Sequence, residues 1–122
     1  MGCNLVTVLV VDDNEDNLFL MATALRKIGL NVLEAINGKI AVELFVMAGP
    51  KAIVTDLEMP VMGGLELIGE IRSMNSAVPI VAMSAGGPSC LRSASETGAD
   101  LCFAKPFDFD VVAQSVFELV AS

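Results

Sequence analysis

The sequence predicts a doubly wound α/β fold, in which helices cover both faces of an open parallel sheet. Short apolar runs alternate five times with longer amphipathic segments, without an internal repeat or a linker. Most of the short runs are rich in Val, Ile and Leu and lack polar alternation, which is typical of strands covered on both faces. Because 122 residues is a usual length for one domain, we expect a single domain over residues 1–122.

The five candidate strands are short and apolar. They are residues 5–11, 31–36, 52–55, 79–83 and 100–104. Helical connections between them imply right-handed crossovers and therefore parallel strands. In this architecture, ligands bind beyond the carboxyl ends of the strands, where the strand order reverses. The strand ends are therefore the place to look for functional residues.

The candidate helices differ in the strength of their patterns. In the first, apolar positions 18, 21, 22, 25 and 28 recur at three- and four-residue spacing before Gly29. The second opens at Asn37-Gly38 and closes at Gly49-Pro50, the third has apolar positions 65, 67, 68 and 71, and the last has apolar positions 111, 112, 116, 119 and 120. Residues 88–97 have a thin apolar stripe and several Ser and Thr residues, which lower helix propensity. We expect this fourth helix to be the most mobile.

Composition excludes several classes of function. The formal charge is −8 and only seven Lys and Arg residues are spread along the chain, so we expect no direct contact with nucleic acid. The chain has no His and no CxxC pair, which excludes most zinc sites and any Ser-His-Asp or Cys-His nucleophile. We therefore expect Cys3, Cys90 and Cys102 to be reduced structural thiols.

The sequence also carries no signal for membrane insertion or export. No apolar run reaches the 18 or more residues needed to span a bilayer. Residues 1–4 carry no positive cluster, and the apolar run at 5–11 does not follow a signal-peptide plan. We expect a cytoplasmic protein without membrane insertion.

Polar side chains stand at the ends of four candidate strands. Asp12 and Asp13 directly follow the first strand, Asp56 ends the third, Ser84 follows the fourth and Lys105 follows the fifth. Because the carboxyl ends of parallel strands meet at one edge of a sheet, we expect these side chains to lie close together.

Each of these positions alone has an ordinary explanation. Asp12, Asp13 or Asn14 would serve as the cap of the first helix, and Asp56 would be a turn carboxylate. A loop hydroxyl and a solvated lysine are likewise common outside any site. The coincidence of all of them at one edge favours a functional site.

The residue types at this edge favour metal-assisted phosphoryl chemistry. Carboxylates repel one another by on the order of 4 kcal/mol per pair at 4 Å and an effective dielectric constant of 20, so a cation should bind. Oxygen ligands without His or Cys favour Mg²⁺. With the metal and Lys105 neutralising charge, a carboxylate can act as a nucleophile toward phosphorus and form an acyl phosphate. Ser84 would then donate a hydrogen bond to the phosphoryl group.

Five segments, in matching order and spacing, give the chain a resemblance to response-regulator receiver domains of two-component signalling over essentially its whole length. The segments are residues 10–14 (VVDDN), 55–60 (TDLEMP) with Gly63-Gly64, 83–85 (MSA), 98–100 (GAD) and 104–107 (AKPF). The resemblance implies a flavodoxin-like (βα)5 three-layer sandwich with the parallel strand order 2-1-3-4-5.

The resemblance also implies a Mg²⁺ site. Its ligands would be Asp13 directly, Asp12 mainly through water, Asp56, and the backbone carbonyl of Glu58. In this family, Glu58 and Gly86 occupy two variable positions that flank the path of the water that hydrolyses the phosphoryl group.

For the phosphoryl group, the resemblance implies that Asp56 is the acceptor, that Lys105 pairs with the phosphoryl oxygens and that Ser84 moves toward them. The Lys105-Pro106 peptide bond is expected to be cis. The donor would be a phosphohistidine of a histidine kinase or of a histidine phosphotransfer protein. The domain would catalyse its own phosphorylation and slow autodephosphorylation without being a turnover enzyme.

The output implied by the resemblance is a switched protein-interaction surface on the fourth helix, fifth strand and fifth helix. The chain would be a stand-alone receiver or a fragment of a hybrid kinase or larger regulator, and the cognate kinase, stimulus and downstream partner are not identified by the sequence. In many receivers, a Tyr or Phe three residues before the lysine takes part in the switch. Cys102 has that position here, while Phe103 should face the other side of its strand.

Two other functions compete with this hypothesis. A pseudo-receiver would act only as a protein-binding module without phosphorylation, and Cys102 at the switch position favours it. A haloacid-dehalogenase-like phosphatase also uses an Asp nucleophile, but it would need a second Asp two residues after Asp56, where Glu58 stands.

Overall fold

A computed structural model describes residues 6–121 of the chain. Within this range, five strands alternate strictly with five helices, as predicted. The strands are β1 (Thr7–Val11), β2 (Asn31–Ala35), β3 (Ala52–Asp56), β4 (Ile80–Ser84) and β5 (Leu101–Ala104), and the helices are α1 (Glu15–Lys27), α2 (Gly38–Ala48), α3 (Gly64–Met74), α4 (Pro88–Thr97) and α5 (Phe109–Ala121). The predictions made for residues 1–5, including Cys3, lie outside the described residues.

The strands form one parallel sheet in the order β2-β1-β3-β4-β5. This confirms the doubly wound, flavodoxin-like fold and the strand order that the resemblance implied. The chain leaves β1 toward β2 on one side and later returns to pair β3 on the other side of β1. The carboxyl ends of β1 and β3 therefore lie side by side, with Val11 opposite Thr55.

Two apolar cores lie on the two faces of the sheet. Val8 and Val10 of β1 point to the core shared with α1 and α5. Leu9 and Val11 point to the core shared with α2, α3 and α4. Because β1 has apolar partners on both faces, it shows no polar alternation in sequence.

Sequence and structure differ at the ends of some strands. Ser84 was expected to follow β4, but it is the last residue of this strand, because its carbonyl accepts a hydrogen bond from Lys105 N–H at 2.9 Å and extends the pairing with β5. β3 likewise extends by one residue to include Asp56, and Ile36 lies beyond the end of β2. Shifts of one residue arise because pairing continues until the backbone of one strand turns away.

The helix ends follow from capping chemistry. Asn14 caps α1, since its side chain accepts a hydrogen bond from Asn17 N–H at 2.9 Å, and Asn37 caps α2 in the same way. In contrast, α4 has no side-chain cap and buries only Ala94. The mobility expected for α4 therefore remains a prediction. Among the helices described, all of 13 residues or fewer, none has the length and apolar character to cross a membrane.

Candidate functional site

Three carboxylates meet at the carboxyl edge of the sheet, where the strand order reverses. Asp12 and Asp13 directly follow β1, and Asp56 is the last residue of β3. One oxygen from each carboxylate lies within 4.8 Å of the other two. Asp12 and Asp56 are each only 3% exposed, whereas Asp13 is exposed. The predicted acidic cluster is therefore formed, with two of its members buried and one open to solvent.

Asp12 is held in place by its own loop. Its backbone N–H donates to the carbonyl of Ala35 at 3.1 Å, and its Oδ1 accepts from Asn14 N–H at 2.9 Å. Burial raises the pKa of Asp12 to about 6; the hydrogen bond from Asn14 opposes this shift and the charge of Asp56 adds to it. Since Asn14 caps α1, neither Asp12 nor Asp13 is needed for that role.

Asp56 faces the only ammonium group that contacts this cluster among residues 6–121. Lys105 Nζ lies 3.0 Å from Asp56 Oδ1. That oxygen is buried and accepts no well-aligned hydrogen bond, so the contact is an ion pair that leaves a lone pair free. Burial raises the pKa of Asp56, and although Lys105 opposes the shift, the pKa stays above its ordinary value.

The Lys105 ammonium is stabilised by the acids around it. Burial alone would lower its pKa, but the contact with Asp56 and the negative charges of Asp12 and Glu58 outweigh burial, so the pKa is raised. The pKa values of both partners of the ion pair therefore rise, for different reasons: burial outweighs Lys105 at Asp56, and several anions outweigh burial at Lys105. When all three carboxylates of the cluster are ionised, one ammonium leaves an excess of two negative charges.

The donor set fits Mg²⁺. Carboxylate oxygens without nitrogen or sulfur ligands match this ion, and Asp56 Oδ1 is a buried oxygen that has the Lys105 ion pair but no well-aligned hydrogen bond. The excess negative charge equals the charge of one divalent cation. Asp12, Asp13 and Asp56 would therefore hold the metal at the edge of the sheet.

Ser84 and Glu58 meet through their side chains. Ser84 Oγ donates to Glu58 Oε2 at 2.6 Å, and the backbone N–H of Ala85 donates to Glu58 Oε1 at 2.9 Å. Ser84 Oγ in turn accepts from Gly86 N–H at 2.9 Å. The sequence predicted a backbone carbonyl ligand at Glu58 and a position beside the path of the hydrolytic water, but not this side-chain contact. The signal that could have indicated it was a carboxylate two residues beyond Asp56, near the end of the neighbouring strand.

A glycine lets the loop after β3 close tightly beneath the site. A Cβ atom at Gly64 would lie 2.5 Å from the Asp56 carbonyl oxygen and 2.6 Å from Leu57 Cα. The close approach explains why the segment after Asp56 carries glycine at this position. On the other side of the site, the Lys105-Pro106 peptide bond is cis, as expected.

Cys102 and Phe103 face opposite sides of β5, as predicted. Phe103 packs against the core shared with α1 and α5, and Cys102 packs against the core on the α4 side. The Cys102 thiol lies 3.5 Å from the Leu91 carbonyl oxygen, and burial raises the pKa of this thiol. Cys90 and Cys102 are both free, in agreement with the prediction of reduced thiols.

Comparison with known proteins adds a family match. The family model described as the response regulator receiver domain matches residues 8–117. The transcriptional regulatory protein PrrA of Mycobacterium leprae is 38% identical over 107 residues, which are 87% of this chain and 46% of that protein. Sporulation initiation phosphotransferase F of Bacillus subtilis is 28% identical over 110 residues, which are 89% of either protein. The chain thus spans less than half of one relative and most of the other.

Among solved structures, the receiver domain of the Francisella response regulator 1452 has a similar fold. The TM-score is 0.89 and the sequence identity is 28%, and the match covers 94% of this chain and 96% of that one. The similarity therefore extends over nearly all of the sheet and its helices.

Proposed function

The chain belongs to the response regulator receiver domain family, and on that premise we propose that residues 1–122 form one receiver domain that accepts a phosphoryl group on Asp56. The observation that carries the proposal is the state of Asp56 Oδ1. This oxygen is buried, accepts no well-aligned hydrogen bond and is ion-paired with Lys105, whose Nζ lies 3.0 Å away. A carboxylate oxygen with a free lone pair beside a cation is suited to attack phosphorus.

Mg²⁺ would be held by Asp13 and Asp56 directly, with the backbone carbonyl of Glu58 as a further ligand and Asp12 acting mainly through water. When bound, the ion neutralises charge on the carboxylates and on the phosphoryl oxygens. Asp13 is the exposed member of the cluster, which supports its role as the ligand that solvent-borne metal meets first.

In the proposed reaction, a carboxylate oxygen of Asp56 supplies the electron pair that forms the new P–O bond. The P–N bond of a phosphohistidine breaks, and the imidazole nitrogen of the donor protein keeps that electron pair. Lys105 then pairs with the phosphoryl oxygens, and Ser84 donates a hydrogen bond to one of them. Because Lys105 already contacts Asp56, it needs little movement to do so.

The donor would be a histidine kinase or a histidine phosphotransfer protein, the partners of receiver domains in two-component signalling. Water would later hydrolyse the acyl phosphate slowly, so the domain would be a switch and not a turnover enzyme. Ser84 supports transmission of the signal, because it is the last residue of β4 and directly precedes the loop into α4. A movement of Ser84 toward the phosphoryl group would shift the surface formed by α4, β5 and α5.

The proposal is tested by incubating the protein with acetyl phosphate and Mg²⁺ and measuring the intact mass. Wild type should gain the mass of one phosphoryl group, and Asp56→Asn should gain none, because the amide is not a nucleophile toward phosphorus. Chelation of Mg²⁺ should prevent the gain. A wild-type protein that gains no mass under these conditions would instead be a pseudo-receiver that acts as a binding module, the alternative favoured by Cys102 at the switch position.

A further inference from the structure

Both carboxylate oxygens of Glu58 are engaged by the β4–α4 loop. Oε2 accepts from the Ser84 hydroxyl at 2.6 Å, and Oε1 accepts from the Ala85 backbone N–H at 2.9 Å. Hydrogen bonds to an ionised carboxylate are stronger than those between neutral groups. The Glu58 residue is exposed, so burial of its side chain does not account for this placement. The loop holds the carboxylate as it would hold a bound anion.

These two donors adjoin the proposed phosphoryl site. β3 and β4 are paired, with Asp56 opposite Met83, and Leu57 N–H donates to the Met83 carbonyl at 2.9 Å. Ser84, the next residue along β4, therefore lies beside the end of β3 that carries Asp56. A phosphoryl group on Asp56 would reach the same hydroxyl and the same N–H.

Glu58 and a phosphoryl group cannot both be satisfied by these donors. The Ser84 hydroxyl has one proton, and the Ala85 backbone has one N–H. Ser84 Oγ also accepts from Gly86 N–H at 2.9 Å, which ties the start of the loop to the same arrangement. Any anion on Asp56 that takes these two donors must therefore release the Glu58 carboxylate to solvent.

We infer that the Glu58 carboxylate is an internal competitor for the phosphoryl group: it occupies the Ser84 and Ala85 donors in the unphosphorylated protein and is displaced on phosphorylation. The inference rests on the proposed function, since it concerns the group that the phosphoryl group on Asp56 would displace from the same site. The Glu58 side chain is in this sense a positioning group, because its carboxylate holds Ser84 and Ala85 in place, whereas the backbone of the same residue adjoins Asp56.

The test uses beryllofluoride, an anion of phosphoryl size and shape, titrated at saturating Mg²⁺. Binding is followed by NMR at the backbone amides of Ala85 and Gly86, because the chain has no Trp or Tyr to serve as a fluorescent reporter. Glu58→Gln removes the charge, and Glu58→Asp keeps the charge but shortens the side chain so that it cannot hold both donors. Glu66→Gln is the control, since it removes the same charge from an exposed position in the first turn of α3.

We expect both Glu58 variants to bind beryllofluoride more tightly than wild type, by roughly tenfold for Glu58→Gln, a change of about 1.4 kcal/mol. Glu66→Gln should bind like wild type. Before the anion is added, the Ala85 amide resonance should already differ between wild type and both Glu58 variants, because its acceptor becomes a neutral amide oxygen in Glu58→Gln and is withdrawn by one methylene in Glu58→Asp.

Unchanged or weaker binding in Glu58→Gln would overturn the inference. Tighter binding in Glu58→Gln but not in Glu58→Asp would also overturn it. That result would mean that the charge of Glu58 repels the anion, and not that its carboxylate occupies the two donors. These results are separable from failure of the proposed function. If wild type takes up phosphate on Asp56 while the Glu58 variants show no gain in affinity, only the inference fails; if wild type binds neither phosphate nor beryllofluoride, both fail.

Discussion

At the scale of single residues, Gly86 is confined by its neighbours. A Cβ atom at this position would collide with Cys90 Sγ and would lie 3.1 Å from Cys90 Cβ and 3.2 Å from Ser84 Oγ. Glycine here therefore allows the loop to fold against the first turn of α4, and close packing is as much its role as backbone freedom. The loop that carries Ser84 depends on this contact.

Replacing Gly86 with Ala should destabilise the protein by about 1–3 kcal/mol, because the added methyl group forces the loop or Cys90 to move. The measurement is the free energy of unfolding from urea denaturation. Gly69→Ala is the matched control: Gly69 lies in the interior of α3 and nothing lies within 4 Å of a Cβ atom there. That variant should be stabilised by up to about 1 kcal/mol, since Ala favours the helix. Equal stabilities of the two variants would contradict the confined placement of Gly86.

Most residues of the candidate site could be located from the sequence, but some of their contacts could not. Asp12, Asp13, Asp56 and Lys105 each stand at a strand end, and parallel strands bring such positions to one edge. The side chain of Glu58 lies in a loop instead. Its direction depends on the path of that loop relative to the end of β4, which no periodicity encodes.

At the scale of elements, α4 is attached more weakly than its neighbours. It buries only Ala94, whereas α1 buries five residues and α3 buries four. Like α3, it starts without a side-chain cap, so no capping side chain accepts from its first N–H groups. Local opening is easiest where few apolar contacts are lost, so this helix is suited to be the part that responds to Ser84.

We expect the backbone amides of α4 to exchange with solvent faster than those of the other four helices. Hydrogen–deuterium exchange of the unphosphorylated protein measures this directly, with the central amides of α1 as the internal reference. Beryllofluoride and Mg²⁺ should slow exchange in α4 if Ser84 and Ala85 become fixed to the anion. Protection of α4 equal to that of α1 would contradict the prediction.

Helix patterns could be predicted at this scale because apolar spacing and capping residues are local. Arg72 could not be predicted, since an arginine on an amphipathic helix normally points to solvent. Its guanidinium instead donates to the carbonyls of Gly98 and Val78 at 2.8 and 2.7 Å and pairs with Asp100 at 3.0 Å. This arrangement arises because the segments before β4 and β5 pass the end of α3, which is a tertiary property.

At the scale of the whole molecule, alternation of apolar and amphipathic segments predicts three layers and a parallel sheet. The order of the strands does not follow from that alternation, because several doubly wound orders satisfy the same pattern. Here the order came from the resemblance to a family, and pairing of β1 with both β2 and β3 confirms it. The order matters for the candidate site, since it sets which strand ends flank the acidic cluster.

The acidic cluster should also make the stability of the whole protein depend on pH and on Mg²⁺. The pKa of Asp12 is raised from 3.8 to about 6, and the pKa of Asp56 is raised as well. Between pH 3.8 and about pH 6, the folded protein therefore binds more protons than the unfolded chain. The free energy of unfolding should consequently fall as the pH rises through 6. Between pH 5 and pH 7.5 without metal, Asp12 alone should lower this free energy by on the order of 1 kcal/mol.

Magnesium should reverse this trend, because it binds the ionised carboxylates of the folded state and so stabilises the protein at pH 7.5 more than at pH 5. Urea denaturation at the two pH values, with EDTA or with excess Mg²⁺, measures the effect. Asp12→Asn is the control: it keeps an oxygen acceptor for Asn14 N–H but removes one buried charge, so without metal it should be more stable than wild type at pH 7.5 and less sensitive to pH. Equal stability of metal-free wild type at pH 7.5 and pH 5 would contradict the prediction. It would mean that burial does not raise the pKa values of Asp12 and Asp56, and that there is no loss of stability at pH 7.5 for Mg²⁺ binding to reverse.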